Sequence, residues 1–300
     1  MGFVAVAPAS LRSTAFFATP VSARRACGYR PALPVAAAPS RVVVVMAADG
    51  VRRVLVSGAT GRTGKLAMAK LAEHADQLQA VGLVRSAEKA ATVLGDGVET
   101  VVGTVTDRDQ VFSIVRDNNI DALIVLSSAI PKFKPAEPGQ RPEHYFDDGQ
   151  EPESVDWEGG RNMIDAAKEV GLSHVVFVGS MGSTDTHHPL NAFGNILKWK
   201  RQAEQYLIDS GVSYTIINPG GLQDADGSRR ELIVGNNDEI YKLYGTPAIP
   251  RADVAMLAVQ ALLKPETAKN KALDVITKPE GEGTVTEDFG RLFAKTQSQL

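Results

Sequence analysis

Strand-like and helix-like segments alternate along the chain from residue 52 onward. The run DALIVLSSA, residues 121–129, is apolar throughout, as in a strand that is buried on both faces of a parallel sheet. Helical segments of roughly ten to fifteen residues separate such runs, which is the spacing of right-handed crossovers between parallel strands. The pattern therefore predicts an α/β fold with a doubly wound parallel sheet. The predicted strands are 53–57, 78–86, 98–103, 121–129, 173–181, 212–221 and 271–277.

Two stretches interrupt the alternation. Residues 130–153 are rich in proline and charge, and they follow a predicted strand at the end where α/β proteins bind ligands. This insertion is either a lid over a site or a solvated surface loop. The stretch ELIVGNNDEIY, residues 231–241, is predicted to form a β-hairpin around GNND.

The segment SGATGRTG, residues 57–64, joins the first predicted strand to the first predicted helix. Gly58 permits a tight turn, Gly61 lets the backbone approach a pyrophosphate, and Gly64 lets helix and strand pack closely. The start of the helix adds free N–H groups and partial positive charge. Glycine turns without a ligand are the alternative. We predict a dinucleotide site formed by Gly58, Thr60, Gly61, Arg62, Thr63 and Gly64.

The end of the second predicted strand distinguishes the two nicotinamide cofactors. NAD-binding proteins place an acidic residue about 20 residues after the glycine loop, where it binds the ribose 2′-hydroxyl. This chain has Arg85 and then Ser86 at that point. An arginine binds a 2′-phosphate, which an acid would repel, and Arg62 in the loop can approach the same group. The sequence favours NADP(H) over NAD(H), unless Arg85 is only a solvent-facing strand end.

The first 48 residues differ in composition from the rest. They contain five arginines, no lysine and no acidic residue, together with many alanines, serines, valines and prolines. Such a composition is typical of organellar transit peptides, and a tail without a targeting role is the alternative. We predict a transit peptide over residues 1–48, directed to the chloroplast stroma, with the mitochondrion as second choice. The only cysteine, Cys27, lies in this segment, so the rest of the chain offers no thiol.

Charge and hydropathy argue against two kinds of partner. Without the five arginines of that segment, 27 basic residues stand against 35 acidic ones. Nucleic-acid binding requires clustered lysine and arginine, so we predict no nucleic-acid partner. No apolar run reaches the roughly 18 residues that a transmembrane helix needs, so we predict no integral membrane segment.

Six segments carry a resemblance: SGATGRTG, VRS, VVFVGSMG, NILKWKRQAEQYL, the GG of NPGGL, and PRADVA. Together they resemble the atypical short-chain dehydrogenase/reductases of the NmrA-like branch, in particular the small plant NAD(P)-binding proteins of plastid type. The resemblance covers residues 52–297. It implies a single Rossmann domain whose C-terminal part, about 220–297, is a small substrate lobe.

The resemblance also implies positions along the cofactor. Where many relatives have an aspartate that binds the adenine amine, this chain has Thr104, which weakens that contact. By position, the family's contacts fall on Thr104 and Val105 for adenine, Ser127 and Ser128 for ribose, Ser180 and Met181 for nicotinamide, and Pro219 and Gly220 for its carboxamide.

The catalytic set that the resemblance implies is incomplete. Enzymes of the superfamily use a serine to orient the substrate carbonyl, a tyrosine to transfer the proton and a lysine to hold the ribose. Ser180 and Lys200 occupy the serine and lysine positions, whereas Ile196 occupies the tyrosine position. Because isoleucine transfers no proton, the standard alcohol/ketone reaction is not expected to run in the standard way.

Lys200 has three interpretations. It binds the cofactor ribose only, or it acts as acid or base from a buried position, as in the related isoflavone-reductase-like enzymes. In the third, it is a helix-edge lysine whose amine meets solvent or Glu204. It then borders a predicted apolar stripe of Ile196, Trp199, Ala203 and Tyr206.

Other polar residues are weaker candidates. His187 and His188 are adjacent, point to different sides and lack acidic or thiolate company, so we predict no metal site. Asp156 and Glu158 are interpreted as the acids that the start of a helix favours. Tyr145 in the insertion is either a substitute acid or a locally packed aromatic residue.

Two functions fit these observations. The first is an NADPH-dependent reductase of an unidentified small organic substrate, in which Lys200 or a water handles the proton. The second is a non-catalytic NADP(H)-sensing regulator, or an assembly or scaffold protein, whose state a protein partner reads. Ile196 favours the second function. Ser180, Lys200 and the insertion favour the first, which we prefer.

Overall fold

The computed structural model describes residues 50–136, 142–244 and 248–296. The strands are β1 (Arg52–Ser57), β2 (Leu78–Val84), β3 (Thr100–Val102), β4 (Ala122–Val125), β5 (Lys132–Phe133), β6 (His144–Tyr145), β7 (His174–Val178), β8 (Tyr214–Pro219), β9 (Gly221–Gln223), β10 (Leu232–Gly235), β11 (Ala248–Pro250) and β12 (Lys271–Thr277). The helices are α1 (Arg62–Ala72), α2 (Ala87–Leu94), α3 (Arg108–Asp117), α4 (Gly159–Val170), α5 (Ile196–Asp209), α6 (Glu239–Leu243), α7 (Arg251–Leu263), α8 (Pro265–Ala268) and α9 (Phe289–Ala294). A π-helical turn (Glu153–Glu158) precedes α4, and a 3-10 turn (Pro189–Ala192) precedes α5.

Eight of these strands form one sheet in the order β10-β12-β8-β7-β4-β1-β2-β3. Its neighbouring strands are parallel, except that β10 runs antiparallel to β12. The predicted α/β fold with a doubly wound parallel sheet is thereby confirmed. From β1 the chain continues to β2 and β3 on one side and returns to β4 on the other. The carboxyl ends of β1 and β4 therefore flank the switch point, where sheets of this kind bind ligands.

Helices cover both faces of the sheet, because its central strands are apolar on both faces. In β1, Val54 and Val56 pack into the core that β1 shares with α1 and α7. Leu55, on the other face, packs into the core formed with α3, α4 and α5. All three side chains are fully buried. Burial on both sides explains why the strands appear in the sequence as continuous apolar runs.

The predicted hairpin at residues 231–241 is wrong. Strand β10 ends at Gly235, and after Asp238, with φ of 61°, the chain enters α6. The antiparallel partner of β10 is β12. The chain does not turn back on itself because the Asp238 carboxylate is held by the segment after β7, where it accepts hydrogen bonds from Gly182 N (2.6 Å) and Thr184 N (2.9 Å).

The insertion forms a short antiparallel hairpin of β5 and β6, and residues 137–141 within it lie outside the described residues. The Phe133 ring meets the Phe193 ring edge-on, with centroids 6.1 Å apart, and His144 meets it at 5.1 Å. Because Phe193 directly follows the 3-10 turn, the hairpin packs on the segment that leads into α5. Its role as a lid stays a prediction.

Three other sequence predictions concern the ends of the chain and its membrane relation. The predicted transit peptide, residues 1–48, lies outside the described residues. In the ranges that the structure describes, no helix combines the length and the apolar content needed to cross a membrane. Residues 220–296 add β10 and β12 to the main sheet and place α7 against α1. That this segment also shapes a substrate lobe stays a prediction.

Candidate functional site

The glycine loop turns sharply between β1 and α1. Gly58 has φ of 67°, in the left-handed region that favours glycine. Its carbonyl oxygen accepts a hydrogen bond from Gly61 N at 2.8 Å. A side chain at Gly64 would overlap that carbonyl oxygen and would lie 2.8 Å from its carbon. The first turn of α1 therefore lies directly on the loop, an approach that only glycine at position 64 permits.

The start of α1 has no side-chain cap and no acidic residue. Gly61, the residue before the helix, has extended backbone angles and no side chain to cap the first N–H groups. These groups have no acceptor within a helix, and they carry the positive end of its dipole. The first turn, which includes Arg62 and Thr63, contains no acidic residue. This arrangement suits an anion.

A cleft opens beside this loop at the switch point of the sheet. It brings together eight of the residues predicted to bind cofactor: Gly58, Thr60, Gly61, Arg85, Thr104, Val105, Ser127 and Ser128. Sequence reasoning missed other residues of its lining, among them Lys89, Gly103, Ile130, Gln150 and Val155. Lys89 lies in the first turn of α2, four residues after Arg85 and close to the end of β2. This short separation in the sequence could have identified Lys89 as a second basic residue at the site.

Residues that line the cleft form hydrogen bonds with neighbouring residues that do not line it. The Ser127 hydroxyl lies 3.1 Å from that of Ser57, which is fully buried at the end of β1. Thr104 N donates to Gln110 Oε1 at 2.8 Å. Val105 O accepts from the buried Asn162 Nδ2 at 3.0 Å. These contacts stiffen the ends of β3 and β4 where they face the cleft.

The two arginines singled out in the sequence lie in different surroundings. Arg85 lines the cleft, where its Nη1 donates to Gln150 Oε1. Arg62 instead forms an exposed ion pair with Asp224 at 3.0 Å, and the same carboxylate binds Arg251 Nη1 at 2.9 Å. Arg62 is therefore directed toward the segment after β9, and Arg85 and Lys89 are the basic side chains of the cleft lining.

Ser180, Pro219 and Gly220 are brought together because β7 and β8 are neighbours. Met181 N donates to Pro219 O at 3.1 Å, which ties the residue after Ser180 to the end of β8. Gly220 N donates to Val275 O at 3.0 Å. The half-buried Ser180 donates its hydroxyl to Met181 O at 3.0 Å, so binding of a substrate oxygen requires this hydroxyl to rotate.

Lys200 lies on the buried face of α5, which differs from the predicted edge position. The buried residues of the helix are Leu197, Lys200, Ala203, Glu204 and Leu207, one step out of phase with the predicted stripe. The amine of Lys200 does not meet Glu204. It lies 2.8 Å from Asp156 Oδ1, with 11% of the lysine side chain and 1% of the aspartate side chain exposed.

Lys200 and Glu204 can both be buried because each has its own partner of opposite charge. Glu204 accepts from Arg201 Nη1 at 2.9 Å and from Asn218 Nδ2 at 3.2 Å. The carboxylate of Asp156 neutralises the charge of the Lys200 ammonium group. The interpretation of Asp156 as a helix-start acid alone is therefore incomplete. A signal was present in the sequence, since Asp156 falls on the helical stripe that continues through Gly160 and on to other buried residues of α4.

A buried carboxylate also holds the segment that follows Ser180. Asp238 accepts hydrogen bonds from Gly182 N at 2.6 Å and from both the amide and the hydroxyl of Thr184, at 2.9 and 2.6 Å. Its own amide donates to Asp274 Oδ2 at 2.6 Å. Sequence reasoning missed this role, because the predicted hairpin placed Asp238 in an exposed turn.

The acids around this contact favour a bound proton near neutral pH. Burial raises the pKa of Asp274 to about 7 against the hydrogen bond from Asp238 N, which lowers it; the charges of Asp238 and Glu204 add to the rise, and Arg201 opposes it. Burial also raises the pKa of Glu204, against the opposing effect of Arg201. The segment after Ser180 is therefore anchored through Asp238 on Asp274, whose pKa is raised to about 7.

Of the two histidines predicted not to bind metal, His187 has one acidic neighbour, because its Nδ1 lies 4.0 Å from Asp185 Oδ1. His188 Nε2 lies 3.3 Å from Tyr241 Oη, and their rings meet edge-on. Across residues 50–136, 142–244 and 248–296, no three or more His, Cys, Asp or Glu side chains are arranged to hold a metal ion. Tyr145, the alternative acid of the insertion, is 41% exposed on β6.

Comparison with known proteins agrees with this geometry. A family model described as NAD(P)H-binding matches residues 58–265. An uncharacterised chloroplastic protein of Arabidopsis thaliana is 51% identical over 252 residues, which cover 82% of this chain and 76% of that protein. Sanguinarine reductase of Eschscholzia californica is 47% identical over 264 residues, which cover 81% of this chain and 95% of the reductase.

Among solved structures, the anaerobillin reductase ChuY from Escherichia coli O157:H7 aligns with a TM-score of 0.58. The alignment covers 78% of this chain and 100% of that chain at 23% identity, so it shows the fold alone. The sheet order, the glycine loop at the switch point and the match of the family model over more than half of the sequence agree. The chain therefore belongs to the NAD(P)H-binding family and has its Rossmann fold.

Proposed function

We propose that the protein is an NADP(H)-dependent reductase of a small organic substrate, in the NmrA-like branch of the atypical short-chain dehydrogenase/reductases. The observation that carries this proposal is the cleft at the switch point, where the glycine loop meets the basic side chains Arg85 and Lys89. The likeness to sanguinarine reductase, over 95% of that enzyme, supports reduction as the reaction.

The loop fits a dinucleotide because it is a cradle that a side chain would fill. The residues that would hold the pyrophosphate are Gly58, Thr60, Gly61, Arg62, Thr63 and Gly64, through backbone amides and the start of α1. Thr104 and Val105 would contact the adenine, Ser127 and Ser128 a ribose, and Pro219 and Gly220 the carboxamide. When bound, a reduced nicotinamide supplies hydride.

The preference for NADP(H) rests on the charges of the cleft. Arg85 and Lys89 line it, and two basic side chains favour a 2′-phosphate over a free hydroxyl. Arg62 would contribute only after leaving Asp224. The pair between Arg62 and Asp224 is exposed on both sides, and exposed pairs are weak, so a bound phosphate could replace the carboxylate.

We expect Arg85→Ala to weaken NADPH binding roughly 10- to 100-fold and to change NADH binding little, since a hydrogen bond to a charged group contributes roughly 1.5–3 kcal/mol. Isothermal titration of both cofactors measures the ratio of the two affinities. Arg108→Ala is a suitable control, because Arg108 is an exposed arginine of α3 that binds Glu169. An unchanged NADPH-to-NADH ratio in Arg85→Ala would contradict the role given to Arg85.

The chemistry of the reactive end is assigned to Ser180 and Lys200. Ser180, released from Met181 O, would orient a substrate oxygen. Lys200 would hold the ribose with its ammonium group, and either Lys200 or a water would deliver the proton. Ile196, the half-buried first residue of α5, takes no part in proton transfer.

The test is an assay of hydride transfer from NADPH, in which the loss of NADPH absorbance is measured. The compounds offered are first sanguinarine and then a panel of carbonyls and activated alkenes. At saturating NADPH we expect Lys200→Ala to lower the rate about 100-fold, because a nicotinamide ribose without its lysine contact holds the hydride donor less accurately toward the substrate. Binding of NADPH should be weakened in this variant but still measurable. Wild-type protein that binds NADPH and reduces none of these compounds would refute the reductase proposal.

A second candidate is an NADP(H)-sensing regulator, or an assembly or scaffold protein. The observation that favours it is Ile196, which occupies the position where the resemblance to the family implies a tyrosine. In this case, capture experiments with the NADPH-bound and cofactor-free protein should recover different partners from a plastid extract. Identical recovery in both states would argue against sensing.

We infer a chloroplast location, with residues 1–48 as the transit peptide and the stroma as the destination. The name of the Arabidopsis relative supports this inference. A fusion of residues 1–48 to a fluorescent protein should be imported into isolated chloroplasts and shortened. Import into mitochondria instead would overturn the assignment.

A further inference from the structure

The ion pair between Lys200 and Asp156 is almost completely buried, and it joins two helical segments. Lys200 Nζ lies 2.8 Å from Asp156 Oδ1, and the exposed fractions of the side chains are 11% and 1%. Asp156 belongs to the π-helical turn before α4, and Lys200 belongs to α5. Because a buried charge without a partner is strongly unfavourable, each residue depends on the other.

The second oxygen of Asp156 connects the pair to the cleft. Asp156 Oδ2 accepts a hydrogen bond from Ala129 N at 3.0 Å. Ala129 lies between Ser128 and Ile130, and both neighbours line the cleft. One carboxylate therefore sets the distance between the amine of Lys200 and the segment after β4.

The amine keeps part of its hydrogen-bonding capacity. A lysine ammonium has three N–H donors, and its 2.8 Å contact with Asp156 Oδ1 takes one of them. Within the described ranges, Nζ meets no second protein acceptor. A nearly buried ammonium group with unused donors is suited to an oxygen acceptor on a bound molecule, such as a ribose hydroxyl.

The local backbone separates Asp156 from the other acid of the same turn. Asp156 points into the protein, whereas Glu158 is 38% exposed and pairs with Arg161 at 2.5 Å. π-Helical turns are rare and occur often at functional sites. Glu158 therefore provides a matched control, since it is an acid on the same turn that does not contact Lys200.

We propose that Asp156 is the positioning residue of Lys200: it holds the ammonium group beside the segment after β4 and leaves the other N–H donors for the ribose of bound NADP(H). This inference rests on the proposed function. Of the three interpretations of Lys200, it supports the one in which Lys200 binds the cofactor ribose. It also gives a role to Asp156, which the resemblance to the family does not assign.

The experiment combines NADPH titration with chemical unfolding for the full chain and four variants: Asp156→Asn, Lys200→Met, the double variant of these two, and Glu158→Gln. Asparagine keeps an acceptor for Ala129 N and removes the charge. We expect both single variants to bind NADPH at least about 10-fold more weakly and to unfold at lower denaturant concentration. Glu158→Gln should behave as wild type in both measurements.

The double variant separates positioning from a merely structural role. Its unfolding midpoint should return toward the wild-type value, because no unpaired buried charge is left. Its NADPH affinity should remain as low as in Lys200→Met, because the donor is absent. Recovery of affinity together with stability would overturn the inference, as would wild-type affinity in Asp156→Asn. Wild-type protein that binds neither NADPH nor NADH would instead refute the proposed function, and the inference with it.

Discussion

Replacing Gly64 with alanine should remove most of the affinity for NADPH. The new methyl group would overlap the carbonyl oxygen of Gly58 and lie 2.8 and 2.9 Å from the Gly58 carbonyl carbon and Ala59 Cα. These are backbone atoms, so the loop itself must move. Overpacking of this kind costs about 1–3 kcal/mol, which corresponds to a loss of affinity of roughly 10- to 100-fold if the strain falls on the bound loop.

Isothermal titration of NADPH measures this effect, and denaturant unfolding measures any accompanying loss of stability. Gly290→Ala is the matched control. A methyl group at Gly290, in α9, meets nothing closer than 3.4 Å, so this variant should bind and unfold as wild type. If Gly64→Ala were to bind NADPH with wild-type affinity, the glycine loop would not be the phosphate cradle.

Replacing Asp274 with asparagine should stabilise the protein at pH 8 and change its stability little at pH 4. Burial raises the pKa of the Asp274 carboxyl from its ordinary value of 3.8 to about 7 in the folded protein. The folded state therefore keeps the proton over a pH range in which the unfolded state has lost it. The contribution to stability is fully present below pH 4 and is lost as the pH rises to about 7.

The size of this change in stability follows from the pKa shift of Asp274. Three units of pKa correspond to at most about 4 kcal/mol of unfolding free energy, and local relaxation will reduce that figure. Asparagine has no charge to bury and keeps an acceptor for Asp238 N. Denaturant unfolding at pH 4 and pH 8 should show the difference between variant and wild type growing with pH.

Asp109→Asn is the control for this measurement, because the Asp109 side chain is 97% exposed. It should alter the pH dependence very little. A difference between Asp274→Asn and wild type that is the same at both pH values would show that Asp274 is already ionised throughout this range.

Residues close together in the sequence were assigned well. The segment 57–64 contains the whole glycine loop, and its geometry depends on hydrogen bonds between residues three or four positions apart. Arg85 was predicted to lie at the cofactor site from its distance to the glycine loop, whereas Thr104 and Ser127 were placed there by the family resemblance. All three residues line one cleft. The predicted doubly wound parallel sheet, which followed from the alternation of strands and helices, is confirmed.

The two main corrections both concern charged residues with distant partners. The predicted hairpin at 231–241 is wrong because Asp238 binds Gly182, 56 positions earlier in the chain. The predicted apolar stripe of α5, with Lys200 at its border, is misplaced by about one residue, because both Lys200 and Glu204 lie on the buried face. Each is buried against its own partner, and helical periodicity does not reveal such pairs.

By itself, the sequence determined the α/β class and the position of the glycine loop between β1 and α1. These properties depend on backbone conformation and on hydrophobic periodicity, both of which are set by neighbouring residues. Only the tertiary structure decided which acid meets Lys200, which basic residues line the cleft and what anchors the segment after Ser180. A buried charge takes whichever partner the fold brings within about 3 Å, and that distance depends on how helices pack across the sheet.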